Sequence, residues 1–251
     1  MGNGTLEITI LHTNDMHCHL EAMSRLSTFA RSLKQGLEAQ GQRVFFFDAG
    51  DAPDRRERFC SITKGAAFPR ILQAMGYDLQ TLGNAISVTY GPQAAAQMAR
   101  RYTIPVLAAN FQEADGSLLK GFQATASYQL TDGVRLGIIG MTPDMPDISE
   151  LFGLKVTDFR SVASQWLEYL QREGAGPLVA LSHLGLENDR KLAQALPELD
   201  VIIGGHSHST LPAGELVNGV LVAQAGDNAR FLGRVDMRVD ARSGKVLEKS
   251  A

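Results

Sequence analysis

The chain has 251 residues, and its 24 Lys plus Arg against 27 Asp plus Glu give a formal net charge of −3. With 44% hydrophobic and 20% charged residues it is too apolar for a disordered chain, and its slightly acidic balance excludes a broad cationic face for nucleic acid or anionic lipid. No apolar run reaches the ~18 residues of a membrane span, and two cysteines, Cys18 and Cys60, exclude a disulfide scaffold.

Two thiols can close one bridge at most, and a reduced pair is the simpler expectation. The length suits a single domain over residues 1–251. The opening Met1-Gly2-Asn3-Gly4-Thr5 runs straight into Leu6-Glu7-Ile8-Thr9-Ile10-Leu11, with no basic or apolar leader pattern. That reads as a cytoplasmic protein, or a periplasmic or secreted one whose signal peptide has been removed.

Glu7–Leu11 reads as a first strand. Ala22–Leu37 carries Met23, Leu26, Phe29, Ala30, Leu33 and Leu37 at helical spacing. Val44-Phe45-Phe46-Phe47 is a continuous apolar run of buried-strand type. A helix over Ala66–Met75, a strand over Asp78–Leu82, a helix over Pro92–Arg101 and a strand over Val106–Ala109 follow. Phe122–Leu130 and Val134–Ile139 flank Thr131-Asp132-Gly133, a hairpin signal. Next come a helix over Phe159–Glu173, a strand over Leu178–Leu181, a helix over Glu187–Leu196 and a strand over Asp200–Ile203. Asn218-Gly219 between Val217 and Val220 marks a second hairpin, and Gly233–Val239 reads as the last strand. Early alternation and late hairpins point to a mixed-sheet α/β protein with an antiparallel portion.

The six histidines are His12, His17, His19, His183, His206 and His208. They fall into three short clusters, each at the carboxyl end of an apolar strand. Asp15 and His17 follow Ile8–Leu11, His183 follows Leu178–Leu181, and His206 and His208 follow Val201–Ile203. Asp51 follows Val44–Phe47, and Asn84 follows Leu79–Leu82. In α/β sheets such ends form the crevice where ligands bind. Imidazole and carboxylate donors without thiolate suit a divalent metal. Seven donors exceed one tetrahedral site and suit two metals sharing a carboxylate. The i, i+2 spacing of Asp15/His17 and His206/His208 fits extended chain, where alternate side chains share a side. Gly204 and Gly205 let the backbone turn sharply and come close to the ions. His12 and His19 are candidates for a supporting role around the ligands.

These blocks resemble the calcineurin-like metallophosphoesterase superfamily, and within it the 5′-nucleotidase branch. Leu11-His12-Thr13-Asn14-Asp15-Met16-His17, Gly50-Asp51, Gly83-Asn84, Ser182-His183-Leu184-Gly185 and Gly204-Gly205-His206-Ser207-His208 stand in the branch's order. Leu107-Ala108-Ala109-Asn110, Gln224-Ala225-Gly226 and Leu232-Gly233-Arg234-Val235-Asp236 match it too. The resemblance spans about Glu7 to Asp240. It implies two mixed β-sheets packed as a sandwich flanked by helices. It also implies two divalent metal ions of Mn²⁺, Zn²⁺, Fe or Co²⁺ type. One would be held by Asp15, His17, Asp51 and His208, the other by Asp51, Asn84, His183 and His206, with Asp51 bridging. The implied reaction is hydrolysis of a nucleotide or related small phosphate ester by a metal-bridging hydroxide. The implied partner is a small-molecule phosphate substrate, with no nucleic-acid polymer and no membrane.

Three departures stand out. The family continues Gly-Asn-His-Glu where this chain reads Gly83-Asn84-Ala85-Ile86, so the histidine that assists the leaving group is Ala85. Cys18 stands where a glycine usually follows the first metal-binding histidine. The branch often carries a second, C-terminal domain that grips the nucleoside, and the reading of residues 1–251 as a single domain leaves that module out. Guanidinium groups grip phosphate, so Arg55, Arg56 and Arg58, close after Asp51, are candidates to replace the lost histidine. His19 is the other candidate. With Asn84 these give a catalytic set of Asp51, Asn84, Arg55 and His19, and a substrate-binding set of Asn84, Arg55 and Arg56. Two alternatives stay open: a thiosulfohydrolase-type relative, and a catalytically weakened domain that binds metal and phosphate.

Overall fold

A computed structural model describes residues 4–155 and 157–251. The first half runs β1 (Thr5–Thr13), α1 (Leu20–Ala39), β2 (Arg43–Asp48), α2 (Arg58–Thr63), α3 (Phe68–Met75), β3 (Leu79–Thr81), α4 (Ala85–Tyr90), α5 (Pro92–Ala99) and β4 (Val106–Leu107). The middle adds β5 (Gln112–Glu113), β6 (Thr125–Thr131), β7 (Val134–Met141), α6 (Pro146–Phe152), β8 (Leu154–Lys155), α7 (Phe159–Arg172) and β9 (Ala175–Ser182). The chain finishes with α8 (Leu186–Ala195), β10 (Val201–Ile203), β11 (Glu215–Val217), β12 (Val220–Ala223), β13 (Gly233–Asp240) and β14 (Val246–Ser250).

Two six-stranded mixed sheets face each other. Their orders are β14-β13-β1-β2-β3-β4 and β11-β12-β10-β9-β7-β6. Within the first, β1, β2, β3 and β4 run parallel; within the second, β7, β9, β10 and β12 do. This is the sandwich implied by the resemblance. Ile8, Ile10, Phe45, Phe47, Leu79 and Leu107 from one sheet interdigitate with Leu136, Ile138, Val179, Leu181, Val201 and Ile203 from the other. The outer faces are buried as well. Val44 and Phe46 pack under α1 and α3, while Leu178 and Ala180 pack under α7 and α8. Central strands are therefore apolar on both faces, which is why β2 reads as an unbroken hydrophobic run. Phe46 stacks on Tyr77 with ring centroids 3.8 Å apart, and truncating it to alanine should cost about 3–5 kcal/mol.

Both hairpins form as read. Thr131 pairs with Val134 across Asp132-Gly133, and Val217 with Val220 across Asn218-Gly219. Asn218 and Gly219 have φ of 49° and 84°, the left-handed pair that a two-residue hairpin loop requires. Two expectations need correction. Phe29 is 60% exposed, because the buried stripe of α1 runs through Met23, Leu26, Ala30 and Leu37 and leaves position 29 to one side. β13 is not the last strand: β14 adds antiparallel to it. β14 reads Val-Leu-Glu-Lys-Ser at a sheet edge and is only partly buried, so it carries little hydrophobic signal. The short helices α2, α4 and α6, of six or seven residues, are too brief for periodicity to show. No described helix is long and apolar enough to cross a membrane.

Candidate metal centre

Five parallel strands end at one edge of the sandwich and deliver the seven donors there. β1 leads to Asp15 and His17, β2 to Asp51, β3 to Asn84, β9 to His183, and β10 to His206 and His208. The loops are knitted by backbone bonds: Asp15 N–H donates to Gly50 O at 2.9 Å, His17 N–H to Asp51 O at 3.0 Å and Cys18 N–H to Ala52 O at 2.7 Å. The ligand segments are not extended, contrary to the reading of their i, i+2 spacing. Asp15, His17, Asp51, His206 and His208 have φ of 48°, 46°, 55°, 72° and 55°. Left-handed backbone, not strand alternation, brings these side chains together. Such conformations cost non-glycine residues of order 1–3 kcal/mol each, and persist where the surroundings over-determine them.

Asp15 lies at the centre. Its Oδ1 is 3.6 Å from His17 Nε2, 3.3 Å from His208 Nε2 and 3.6 Å from His183 Nε2. His183 Nε2 is also 3.2 Å from Asp51 Oδ2. Asp15/His17/His208 and Asp15/Asp51/His183 thus form two groups, each with donor atoms within 4.8 Å of one another. His206 completes the ring: its N–H donates to Asp15 Oδ2 at 2.7 Å, and its Nδ1 lies 2.9 Å from Asn84 Oδ1. The structure gathers all seven residues. It makes Asp15 the carboxylate common to both groups, with Asp51 in the second.

The donors fit divalent cations. Asp15 Oδ1 and His183 Nε2 are buried without a hydrogen-bond partner, yet they point into the same space. Uncompensated polar atoms are costly in a protein interior, and a cation between them supplies the missing partner. The electrostatics of the donor groups agree. Burial alone would raise the Asp15 carboxyl, but His17, His208, His183 and Asn14 hold it far below the ordinary range. Burial alone would lower His183, but the carboxylates of Asp51 and Asp15 and the carbonyl of Ala49 lift it to about 9. His208 is raised by its contact with Asp15, and His206 is lowered by burial and by neighbouring His183.

Close packing fixes the ligands. A Cβ at Gly83 would lie 2.0 Å from Asp51 Oδ1, and one at Gly205 2.7 Å from both Ala49 O and His183 Nδ1. A Cβ at Gly204 would lie 2.2 Å from Asp189 Oδ2. These two glycines give close approach to the supports of the ligands. Asn14 donates to Asp15 Oδ2 at 2.8 Å and to Gly226 O at 2.6 Å, and accepts from Ala225 N–H at 2.9 Å. The sequence reading missed Asn14, Asp54 and Asp227 as supports. Asp54 Oδ2 is 3.0 Å from His17 Nδ1, and Asp227 Oδ2 is 3.3 Å from His208 Nδ1. The available signal was a carboxylate within three residues of a quoted block: Asp54 after Asp51, and Asp227 directly after Gly226.

Other candidates lie elsewhere. His19 is exposed at the start of α1, on a groove with Glu21, Arg25 and Glu57, and not among the ligands. Arg56 is not free for substrate: its Nε and Nη2 donate to Asp54 Oδ2 at 2.9 and 2.6 Å. Arg55 and Arg58 are exposed, with no side-chain hydrogen bond or ion pair among the described residues. His12 is buried on β1, and burial pushes it down to about 4, so it is a neutral core ring. Gly233 covers it, because a Cβ there would meet His12 Nε2 at 2.1 Å. The reduced-thiol expectation is overturned: Cys18 and Cys60 form a disulfide. Two distant cysteines met because the loop after Asp51 folds back over the loop after Asp15.

Two sets of parallel strand ends thus bring four imidazoles, two carboxylates and the Asn84 amide together among close-packed glycines, as a cluster whose Asp and His groups could hold metal ions. The chain belongs to the calcineurin-like phosphoesterase family, whose model matches residues 8–210. It is 28% identical over 246 residues to the metallophosphoesterase YunD of Bacillus subtilis, covering 98% of this chain and 53% of that protein. It is 26% identical to the 5′-nucleotidase of Diplobatis ommata, covering 97% of this chain and 47% of that one. Among solved structures, a 5′-nucleotidase precursor from Thermus thermophilus superposes with a TM-score of 0.79 at 26% identity, covering 97% and 53% of the two chains. The chain thus spans about half the length of these relatives.

Proposed function

We propose that the chain hydrolyses phosphate esters at this centre with two divalent cations, and that nucleotides or related small phosphate compounds are its substrates. One observation carries the reading: Asp15 Oδ1 and His183 Nε2 are buried and unpartnered at the focus of seven converging donors. The substrate class is supported by the relatives named 5′-nucleotidase. Two cations held there would lower the pKa of a water molecule and neutralise phosphoryl oxygens.

The chain's own residues do the rest. Asp15, His17 and His208 would hold one ion and Asn84, His183 and His206 the other, with Asp51 as the carboxylate that would serve both. Asn84 is half-buried at the start of α4, where its amide can also orient a phosphoryl oxygen. Arg55 and Arg58, exposed beyond the carboxylate that touches His17 and without a side-chain partner among the described residues, are the guanidinium groups left for the substrate phosphate. The test is a panel of p-nitrophenyl phosphate, bis(p-nitrophenyl) phosphate and nucleoside monophosphates, assayed with Mn²⁺ and with EDTA. Metal-dependent release of phosphate or nitrophenol is expected. No turnover on any ester, together with no metal uptake, would sink the reading.

A further inference from the structure

The two halves of the centre are backed differently. His17 and His208 turn Nε2 toward Asp15 and Nδ1 away from it, and each Nδ1 meets a carboxylate: Asp54 at 3.0 Å and Asp227 at 3.3 Å. Each carboxylate is in turn gripped by an arginine of its own loop. Arg56 donates twice to Asp54 Oδ2, and its backbone N–H donates to Asp54 Oδ1 at 2.8 Å. Arg230 forms an ion pair with Asp227, three residues before it. The other half lacks this arrangement. His183 Nδ1 lies 2.6 Å from a neutral carbonyl, Ala49 O, and His206 has Nδ1 against Asn84. No carboxylate lies at ion-pair distance from the His206 ring among the described residues.

We infer that Asp54 and Asp227, each clamped by an arginine, are positioning residues that make the Asp15/His17/His208 half the tighter of the two cation sites. The inference rests on the dimetal reading above and deepens it. A carboxylate behind a ligating imidazole fixes the tautomer with Nε2 free for the ion, sets the ring's angle and raises its basicity. A carbonyl fixes the tautomer with much less gain in basicity. Buried His17 Nδ1 has no aligned hydrogen bond, and Asp54 is the acceptor offered to it. The arginines keep each carboxylate pointed at its imidazole. Each Asp–Arg pair is net neutral, so its effect is on direction and basicity rather than on the charge of the centre. Arg56 and Arg230 are 70% and 62% exposed, so the clamps are solvent-facing while the carboxylates they hold are largely buried.

The experiment is calorimetric titration of the EDTA-stripped full chain with Mn²⁺, comparing wild type with Asp54→Asn and Asp227→Asn. Wild type should show two classes of site. Each variant should weaken the tighter class by ~10–100-fold and leave the weaker class within about twofold. Arg56→Ala, at an exposed position that cannot unfold the core, should weaken the same class by a smaller factor. With Co²⁺, the visible spectrum of the first equivalent should change in both Asp variants and that of the second should not. Equal loss from both classes, or a tighter class unmoved in the variants, overturns the assignment while leaving the dimetal centre standing. Two wild-type sites of equal affinity also overturn it. A wild type that takes up no metal overturns the dimetal reading and this assignment together.

Discussion

Ala85 donates its backbone N–H to Asp51 Oδ1 at 2.9 Å. The position that carries a histidine in the family motif therefore serves the centre through its main chain alone. Its neighbour Ile86 is buried in an apolar cluster with Met98, and Gly65 lies over it so closely that a Cβ there would be 2.8 Å from Ile86 Cδ1. Isoleucine at this position is accommodated by core packing. Nothing at 85 can assist a departing oxygen. Losing one pre-organised donor costs ~10²–10³ in rate. Turnover should accordingly fall steeply as leaving-group pKa rises, with p-nitrophenyl phosphate cleaved much faster than a nucleoside monophosphate. A flat dependence with chemistry rate-limiting would assign the role to another group, and Arg55 would be the first to mutate.

Asp51→Asn should abolish turnover while moving the thermal midpoint little. Asparagine tolerates the left-handed backbone at φ 55° and keeps an oxygen for the Ala85 N–H, so only the charge is lost. Asp15→Asn should likewise end turnover. Mn²⁺ titration separates the two carboxylates: replacing the bridging one weakens both classes of site, and replacing the other weakens one. If Asp51→Asn spares one class and Asp15→Asn spares neither, the bridge is Asp15, the carboxylate shared by both groups in the metal-free chain.

The ligands were legible in the sequence because each closely follows a short, largely apolar strand segment, and strand ends in a parallel sheet converge. The blocks around Asp15, Asp51, Asn84, His183 and His206 are short and local, so one chain suffices to find them. What supports them is not local in the same way. Asp54 matters only because the loop after β2 folds against the loop after β1, and Asp227 only because the segment before β13 reaches Asp15 through Asn228 N–H at 2.7 Å. The Cys18–Cys60 bridge belongs to the same non-local class. The i, i+2 spacing was read as extended chain because nothing in Asp-Met-His or His-Ser-His announces a positive φ. Left-handed strain at such residues is set by the surrounding packing, not by propensity.

The disulfide closes 42 residues and anchors the segment that carries Asp51, Asp54 and Arg56 to the residue beside His17. The chain-entropy argument gives about 4 kcal/mol for a loop of that size, and measured bridges typically give 2–4 kcal/mol. Reduction, or a Cys18→Ser/Cys60→Ser pair, should lower the urea midpoint accordingly. It should also weaken the Mn²⁺ class that depends on Asp54, since the 52–60 loop then loses one of its anchors. Equal midpoints for the oxidised and reduced chain, with thiol titration confirming complete reduction, would show that the bridge does not contribute.

Asp48 ends β2 in full burial, accepts from Thr13 Oγ1 at 2.9 Å, and is pushed up to about 8 by desolvation. The folded chain therefore keeps a proton on Asp48 where the unfolded chain has released it, from the ordinary carboxyl value of 3.8 up to about 8. Across that window the native state binds more protons, so its stability falls as pH rises, by about 1.4 kcal/mol per pH unit for one such group. Asp189, raised to about 7 by the same cause, adds to the fall below pH 7. His12 opposes it: burial lowers it to about 4, so from there to 6.5 the unfolded state binds the extra proton and stability rises with pH. His183 titrates in the metal-free chain too, which makes the wild-type curve a sum. The difference between wild type and Asp48→Asn isolates one group. Asparagine keeps an acceptor for Thr13 and never ionises. With EDTA present, urea midpoints at pH 5, 6, 7 and 8 should diverge steadily in favour of the variant and run parallel above 8. Curves that stay parallel throughout would mean that Asp48 is already ionised in the native chain, and that Thr13 and the Gly50 N–H suffice to hold its charge.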